Sequence, residues 1–154
     1  MTLRLFRNNL GSGVLASSLI LFSSAVAAQS IEDEAVAWLQ DFIRVDTVNP
    51  PGNETRAVEF YREIFDAEGI EYDWVESAPG RGNIWARLEG GDEPGLMLLQ
   101  HTDVVPADKE FWTTDPLSGE LRDGYILGRG ARDMKGTGIA HLATFWQCMF
   151  GDTS

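Results

Sequence analysis

A run of four apolar residues, 96–99 (LMLL), lies between a glycine-rich loop at residues 90–95 and His101. Four consecutive apolar side chains would cover both faces of an extended strand, which is typical of a central strand buried on both sides. His101 would then lie just beyond the carboxyl end of that strand. Ligands of open α/β sheets bind at this end, so the run predicts both a core strand and the place of a site.

Three helices are predicted from apolar residues that recur at helical spacing. The first follows Ser30, a candidate N-cap with acidic residues after it, and ends before residues 46–52, where paired prolines and a glycine forbid its continuation. The second covers residues 54–68 and ends at Gly69. The third begins near Gly136.

Strands are predicted where apolar and polar side chains alternate, at residues 70–74 and 84–88. The Asp123-Gly124 pair predicts a tight hairpin. Because helices and strands are interspersed along the chain, we predict an α/β fold with a mixed sheet. Residues 29–154 have the usual size of one domain.

His101, Asp103 and Asp133 are the candidate site residues. Residues two apart in an extended chain face the same side, so Asp103 can reach the ring nitrogen of His101 that does not bind a metal. Taken alone, such a short motif favours an ordinary structural histidine. Asp133 follows a turn with glycines at 128 and 130, and the pattern fits either a helix N-cap or a carboxylate that bridges two cations.

The first 28 residues carry two arginines, then an apolar run broken only by serines, then small residues. This order is typical of a secretory signal peptide, and the run is short for a membrane span. We therefore predict a signal peptide over 1–28 and an exported protein, periplasmic or secreted, with no membrane contact after cleavage. A retained membrane anchor is the alternative.

The charge balance limits the partners of this chain. Twelve basic and 24 acidic residues give a formal net charge of −12. Nucleic acids and anionic membranes bind cationic surfaces, so neither is expected as a partner. One cysteine allows no internal disulfide and no zinc site built from paired cysteines.

Several ordered motifs resemble the dizinc aminoacylase and carboxypeptidase family, which includes glutamate carboxypeptidase, acetylornithine deacetylase and succinyl-diaminopimelate desuccinylase. The strongest are residues 101–106 (HTDVVP) and 128–136 (GRGARDMKG), with Trp112, 115–119 (DPLSG) and 123–125 (DGY) between them. Weaker matches are residues 46–54 (DTVNPPGNE) and 80–84 (GRGNI). The resemblance implies a zinc-exopeptidase-like catalytic domain.

The resemblance also implies roles for the three site residues. His101 would bind one zinc ion, Asp103 would orient His101 as a catalytic-site residue, and Asp133 would bridge two zinc ions. The peptide bond between Asp133 and Met134 would be cis. The implied activity is zinc-dependent hydrolysis of small peptides or N-acyl amino acids, in which the ions polarise the amide carbonyl and activate a water.

In the family, the general base, the remaining metal ligands and the lid and dimerisation domain come after the bridging aspartate. We therefore expect residues 29–154 to be the amino-terminal part of a catalytic domain, inactive as this chain alone, and a homodimer only in a full-length form. A non-catalytic relic or binding module that keeps part of the fold is the alternative. An unrelated exported α/β protein would make the ordered motifs accidental.

Overall fold

The computed structural model describes residues 30–151 of the 154-residue chain, so the predicted signal peptide lies outside the described residues. Helices and strands are interspersed, as an α/β fold requires. The elements are α1 (Ile31–Arg44), α2 (Glu54–Glu68), β1 (Tyr72–Glu76), β2 (Gly82–Ala86), a 3-10 turn (Lys109–Phe111), β3 (Glu120–Arg122), β4 (Tyr125–Leu127) and α3 (Lys135–Phe150).

The helix ends confirm the predicted signals. The Ser30 hydroxyl accepts a hydrogen bond from the Asp33 amide at 3.2 Å, which caps α1. Gly69 ends α2 in the left-handed conformation with φ of 67°, where glycine carries no steric penalty. The third helix begins at Lys135, one residue before the predicted start.

The core lies where α1 packs against α3 and where α2 packs on the β1–β2 hairpin. Phe42 is fully buried, stacks on Phe60 with ring centroids 4.7 Å apart and meets Tyr61 edge-on. The other buried members of this core are Ala57, Ile64, Phe65, Ile70, Ile139 and Leu142. All of these except Ile70 lie on helices, where helical spacing in the sequence brings them to one face.

Two antiparallel hairpins form the strands. In the first, β1 pairs with β2 and Trp74 lies opposite Ile84. In the second, β3 pairs with β4 through a turn in which Asp123 has φ of 53° and Gly124 has φ of 81°. Two consecutive positive φ angles define the turn that the Asp-Gly pair predicted.

The predicted buried strand at residues 96–99 and the predicted mixed sheet are wrong for the part of the chain that the structure describes. Leu96 is 86% exposed and Leu99 is 73% exposed. The run makes no backbone hydrogen bond to residues 30–151, because no strand there lies beside it. The only parallel pairing in this range is a single bridge between Val48 and Val104.

Lys135, the first residue of α3, is fully buried at the end of α1. Its ammonium donates hydrogen bonds to the carbonyl oxygens of Phe42 at 2.8 Å and Val45 at 2.6 Å. Burial lowers the pKa of Lys135 to about 8, against a smaller opposing effect of the Asp46 carboxylate. Cations are favourable at helix C-termini, and Lys135 places its ammonium at the C-terminus of α1. The side chain therefore joins α1 to the start of α3.

Candidate metal centre

Backbone pairing between two distant loops places the His101 segment. The Val104 amide donates to the Thr47 carbonyl at 3.1 Å, and the Asn49 amide donates to the Val104 carbonyl at 2.9 Å. The buried Thr47 hydroxyl also donates to the Thr102 carbonyl at 2.6 Å. The residues that follow the exposed apolar run are therefore fixed although they form no regular strand.

A glycine turn brings Asp133 to the same place. Gly130 has φ of 87°, and a Cβ atom there would lie 2.7 Å from Cγ1 of Val104. Only glycine allows both this conformation and this close approach to the His101 segment. The Lys135 amide closes the turn by donating to the Gly130 carbonyl at 2.9 Å. The Asp133–Met134 peptide bond is cis, as the resemblance implied.

The structure brings His101, Asp103 and Asp133 together. Nε2 of His101 lies 3.1 Å from Oδ1 of Asp133. On the other side of the ring, Nδ1 lies 3.0 Å from the Asp103 carbonyl oxygen and 3.2 Å from its carboxylate Oδ1. The Asp133 side chain is 89% exposed, whereas those of His101 and Asp103 are about half as exposed or less, at 46% and 36%.

The contacts of Nδ1 determine what Nε2 can do. A proton on Nε2 would be donated to the Asp133 carboxylate, whereas a proton on Nδ1 is donated to the Asp103 carbonyl, and this Nδ1–H form is the one that leaves Nε2 free for a metal. In the neutral ring Nε2 is then an acceptor that faces the carboxylate of Asp133. Two acceptors at this distance repel unless a proton or a metal cation lies between them.

The donor set fits a zinc ion. Bonds of about 2.1 Å to nitrogen and oxygen at a tetrahedral angle separate two ligand atoms by about 3.4 Å, close to the observed 3.1 Å. Asp103 also gives the second ring nitrogen the acceptors that zinc-binding histidines usually have. Over residues 30–151, however, no group of three or more histidine, cysteine, aspartate or glutamate side chains could hold a metal ion.

The same arrangement affects the charge state of His101. Partial burial lowers the pKa of the imidazole. The hydrogen bonds to the Asp133 side chain and the Asp103 carbonyl, together with the two carboxylate charges, raise it and outweigh the burial. The pKa of His101 is therefore raised above its usual value. The site favours a positive charge between His101 and Asp133.

A cavity of about 190 Å³ opens beside the three residues and is also lined by Arg129 and Arg132. The Arg129 guanidinium lies over the Trp112 ring at 5.3 Å, and its buried Nε has no hydrogen-bond partner within the described residues. The sequence alone allows two roles for Arg129: it could steer an anionic substrate, or it could form a salt bridge that stabilises the turn. Within residues 30–151 it forms no salt bridge.

Asn49 is the contact that the three-residue prediction missed. Its side-chain amide donates to Oδ2 of Asp103 at 2.9 Å, across 54 positions of sequence. The available signal was the match at residues 46–54, which the resemblance used without assigning a role to any residue in it.

Known proteins are similar to this chain in sequence. The profile of peptidase family M20/M25/M40 matches residues 97–148. Aminoacylase-1 of Sus scrofa is 38% identical over 115 residues, which is 72% of this chain and 28% of the relative. Succinyl-diaminopimelate desuccinylase of Rhodospirillum centenum is 36% identical over 115 residues, 71% of this chain and 29% of the relative. The chain thus spans less than a third of the length of these relatives.

The prediction of an exported, periplasmic or secreted protein is wrong, because these aminoacylase and desuccinylase relatives are cytosolic enzymes. A leader-like composition in the first residues did not identify the compartment. Separately, no helix in residues 30–151 has the length and apolar character needed to cross a membrane.

The segment that the family profile matches overlaps the candidate site. The matched segment contains His101, Asp103 and Asp133, the residues that meet at the cavity. A second desuccinylase, from Xanthomonas euvesicatoria pv. vesicatoria, is 54% identical over 61 residues, 39% of this chain and 16% of the relative. The chain belongs to peptidase family M20/M25/M40, the family of the aminoacylases and succinyl-diaminopimelate desuccinylases.

Proposed function

We propose that this chain supplies the His101, Asp103 and Asp133 part of a zinc-dependent exopeptidase or amidohydrolase site. The observation that carries the proposal is the 3.1 Å approach of His101 Nε2 to Asp133 Oδ1 while the Asp103 carbonyl holds Nδ1. Zinc bound there would supply Lewis acidity for the hydrolysis of an amide bond.

Each residue has a distinct role in this proposal. His101 offers Nε2 to one ion, and Asp103 keeps the ring in the tautomer that leaves Nε2 free. Asp133 offers one oxygen beside His101, and its exposure leaves the second oxygen accessible to a second ion. The role of a bridging carboxylate is therefore compatible with its position.

The proposed substrates are small peptides or N-acyl amino acids. The relatives are named as an aminoacylase and a desuccinylase, and both names describe the removal of an acyl group. The cavity beside the site carries two arginines, Arg129 and Arg132, which suit a substrate with a carboxylate.

We further propose that the 154-residue chain does not turn over substrate by itself. Zinc sites ordinarily have three or four protein ligands, whereas His101 and Asp133 provide two. Asp103 and Asp133 are the carboxylates that line the cavity in the described residues, and both have other roles in this proposal, so none is left there as a general base. The missing third ligand in residues 30–151 also favours the alternative of a non-catalytic binding module. A homodimer belongs to the proposal only for a longer form.

Zinc titration by calorimetry of the whole 154-residue chain tests the metal site. We expect weak binding that is lost in His101→Ala and in Asp133→Asn and retained in Asp92→Asn, which changes an exposed loop aspartate. Zinc binding that survives both site substitutions would contradict the assignment of the ligands.

An amidase assay with an N-acyl amino acid on the zinc-loaded chain tests the second part. We expect no turnover above the His101→Ala background. Turnover by the chain alone, abolished in His101→Ala, would refute the proposed inactivity and leave the metal site intact. Absence of both zinc binding and turnover would favour the binding module.

A further inference from the structure

We infer that Asn49 is a positioning residue that holds the Asp103 carboxylate against His101, and that Arg81 and Glu54 hold Asn49 in turn. The four residues Glu54, Arg81, Asn49 and Asp103 are called the relay below. The inference rests on the proposed function to the extent that His101 is a zinc ligand, and it assigns a task to residues outside the site itself.

The Asp103 carboxylate is held at both oxygens. Oδ1 lies 3.2 Å from Nδ1 of His101, and Oδ2 accepts from the Asn49 amide at 2.9 Å. A carboxylate with one anchored oxygen can rotate about its terminal bond, whereas two anchored oxygens fix the plane. Asn49 therefore sets the direction from which Asp103 meets the imidazole.

The Asn49 amide is itself oriented. Its Oδ1 accepts from Nη2 of Arg81 at 3.2 Å, which fixes which end of the amide faces Asp103. Nη1 of Arg81 donates to Oε1 of Glu54 at 2.6 Å. Arg81 thus contacts both neighbours with two arms of one planar group, the geometry for which guanidinium is suited.

Glu54 gives the relay a fixed end. It is the first residue of α2 and is only 9% exposed, and its Oε2 is buried without a hydrogen-bond partner in residues 30–151. A buried carboxylate is costly unless it is paired, so loss of the contact with Arg81 would leave the Glu54 charge uncompensated. Acidic residues are also favourable at helix N-termini, which keeps Glu54 in place.

The backbone supports the same arrangement. The Asn49 amide nitrogen donates to the Val104 carbonyl, directly after Asp103 in the chain. Asn49 therefore contacts this segment with both its main chain and its side chain. An asparagine beside prolines commonly bonds within its own turn, but this side chain bonds to Asp103 and Arg81 instead.

The relay connects the loop before α2, the loop between β1 and β2, and the His101 segment. Without Asn49 the Asp103 carboxylate is free to leave Nδ1, although the Asp103 carbonyl remains as an acceptor. We therefore expect a partial loss of ring orientation in such a variant. Substitutions of residues that orient zinc-binding histidines typically lower metal affinity by about 10–100-fold.

The test is nitrogen NMR of the imidazoles in the metal-free 154-residue chain, at a pH where both rings are neutral. The chain has only two histidines, so the ring signals of His101 are read against those of His141 on α3. We compare Asn49→Leu, which replaces the amide with an apolar side chain of the same branching, with Asn83→Leu at an exposed position of β2. Circular dichroism establishes that each variant is folded.

In Asn49→Leu we expect the ratio of Nδ1–H to Nε2–H forms of His101 to fall severalfold, with no change in Asn83→Leu. An unchanged ratio in folded Asn49→Leu would overturn the inference. If that variant does not fold, Arg81→Gln decides, because its side chain is partly exposed and its loss frees the Asn49 amide. A fall in the ratio supports the relay and an unchanged ratio overturns it.

Zinc titration of the same variants separates the two proposals. If the wild-type chain binds zinc, we expect affinity to fall about tenfold or more in Asn49→Leu. If no variant binds zinc while the tautomer ratio still falls in Asn49→Leu, the proposed zinc site fails and the positioning role of Asn49 stands. A loss of zinc affinity equal to that of Asn83→Leu, with an unchanged tautomer ratio, would overturn the positioning role.

Discussion

The ammonium nitrogen of Lys135 lies 2.8 Å from the carbonyl oxygen of Phe42 and 4.6 Å from the centre of its ring. One side chain thus joins the last turn of α1 to the residue that begins α3. Because Asp133 is two positions away, this contact also anchors the turn that carries the proposed bridging carboxylate.

We expect Lys135→Met to destabilise the chain by about 2–4 kcal/mol, since it leaves the Phe42 and Val45 carbonyls without their charged donor. Urea unfolding followed by circular dichroism measures the loss. Lys109→Met, at a side chain that is 75% exposed, is the matched control and should change stability by less than about 0.5 kcal/mol. Equal effects of the two substitutions would show that the buried contact is not stabilising.

Gly130→Ala should cost about 1–3 kcal/mol, because the residue has φ of 87° and its new methyl would lie against Val104. Zinc binding should weaken as well, since the turn carries Asp133. Gly90→Ala is the control, because a Cβ atom there meets nothing within 4 Å and no positive φ is required. If the two alanine variants have the same melting temperature, the close approach at Gly130 does not constrain the chain.

The exposed apolar run at residues 96–99 should make the isolated chain self-associate. Met97 is 79% exposed, and unpaired extended segments of this composition pair readily with other chains. We expect light scattering to increase with concentration and to fall in Met97→Lys. Phe111→Lys removes an equally exposed apolar side chain outside the run and should have the smaller effect. A larger effect of Phe111→Lys than of Met97→Lys would mean that the run at residues 96–99 does not mediate the self-association.

The hydroxyl of Thr55 donates to the Glu76 carboxylate at 2.8 Å, and with the Gly80 amide it lowers the pKa of Glu76. A carboxyl whose pKa is lower in the folded state contributes stability above its unfolded pKa and loses that contribution as the pH falls through the folded value. Thr55→Val should therefore raise the pKa of Glu76 towards its usual value and destabilise the chain more at neutral pH than in acid.

Urea midpoints at neutral and acidic pH measure that difference. Thr137→Val, at an exposed position of α3, serves as the control and should shift both midpoints alike. A Thr55→Val effect that does not depend on pH would mean that the hydroxyl does not favour the charged form of Glu76.

Signals contained within a few residues were sufficient to predict local structure. The Ser30 cap, the Gly69 stop and the Asp123-Gly124 turn each depend on the backbone preferences of adjacent residues. His101, Asp103 and Asp133 were chosen from two motifs, and the structure brings them together, although their roles stay proposals.

Features that depend on distant partners were not predictable in this way. The four apolar side chains at residues 96–99 predict a buried strand, but burial requires another element that covers them. No element within residues 30–151 covers this run. The bond from Asn49 to Asp103 spans 54 positions, and the bond from Arg81 to Asn49 spans 32. Spacing along a sequence does not show which distant polar groups will meet.

The outward direction of the Asp133 side chain has a consequence for how the pocket is finished. The cavity is lined by residues of the segments 101–105 and 128–133, and the Asp133 side chain extends from that lining towards solvent. Metal ions, substrate and an additional polypeptide would all reach Asp133 from this exposed side. Capping that opening would then complete the coordination sphere and shut water out in a single event.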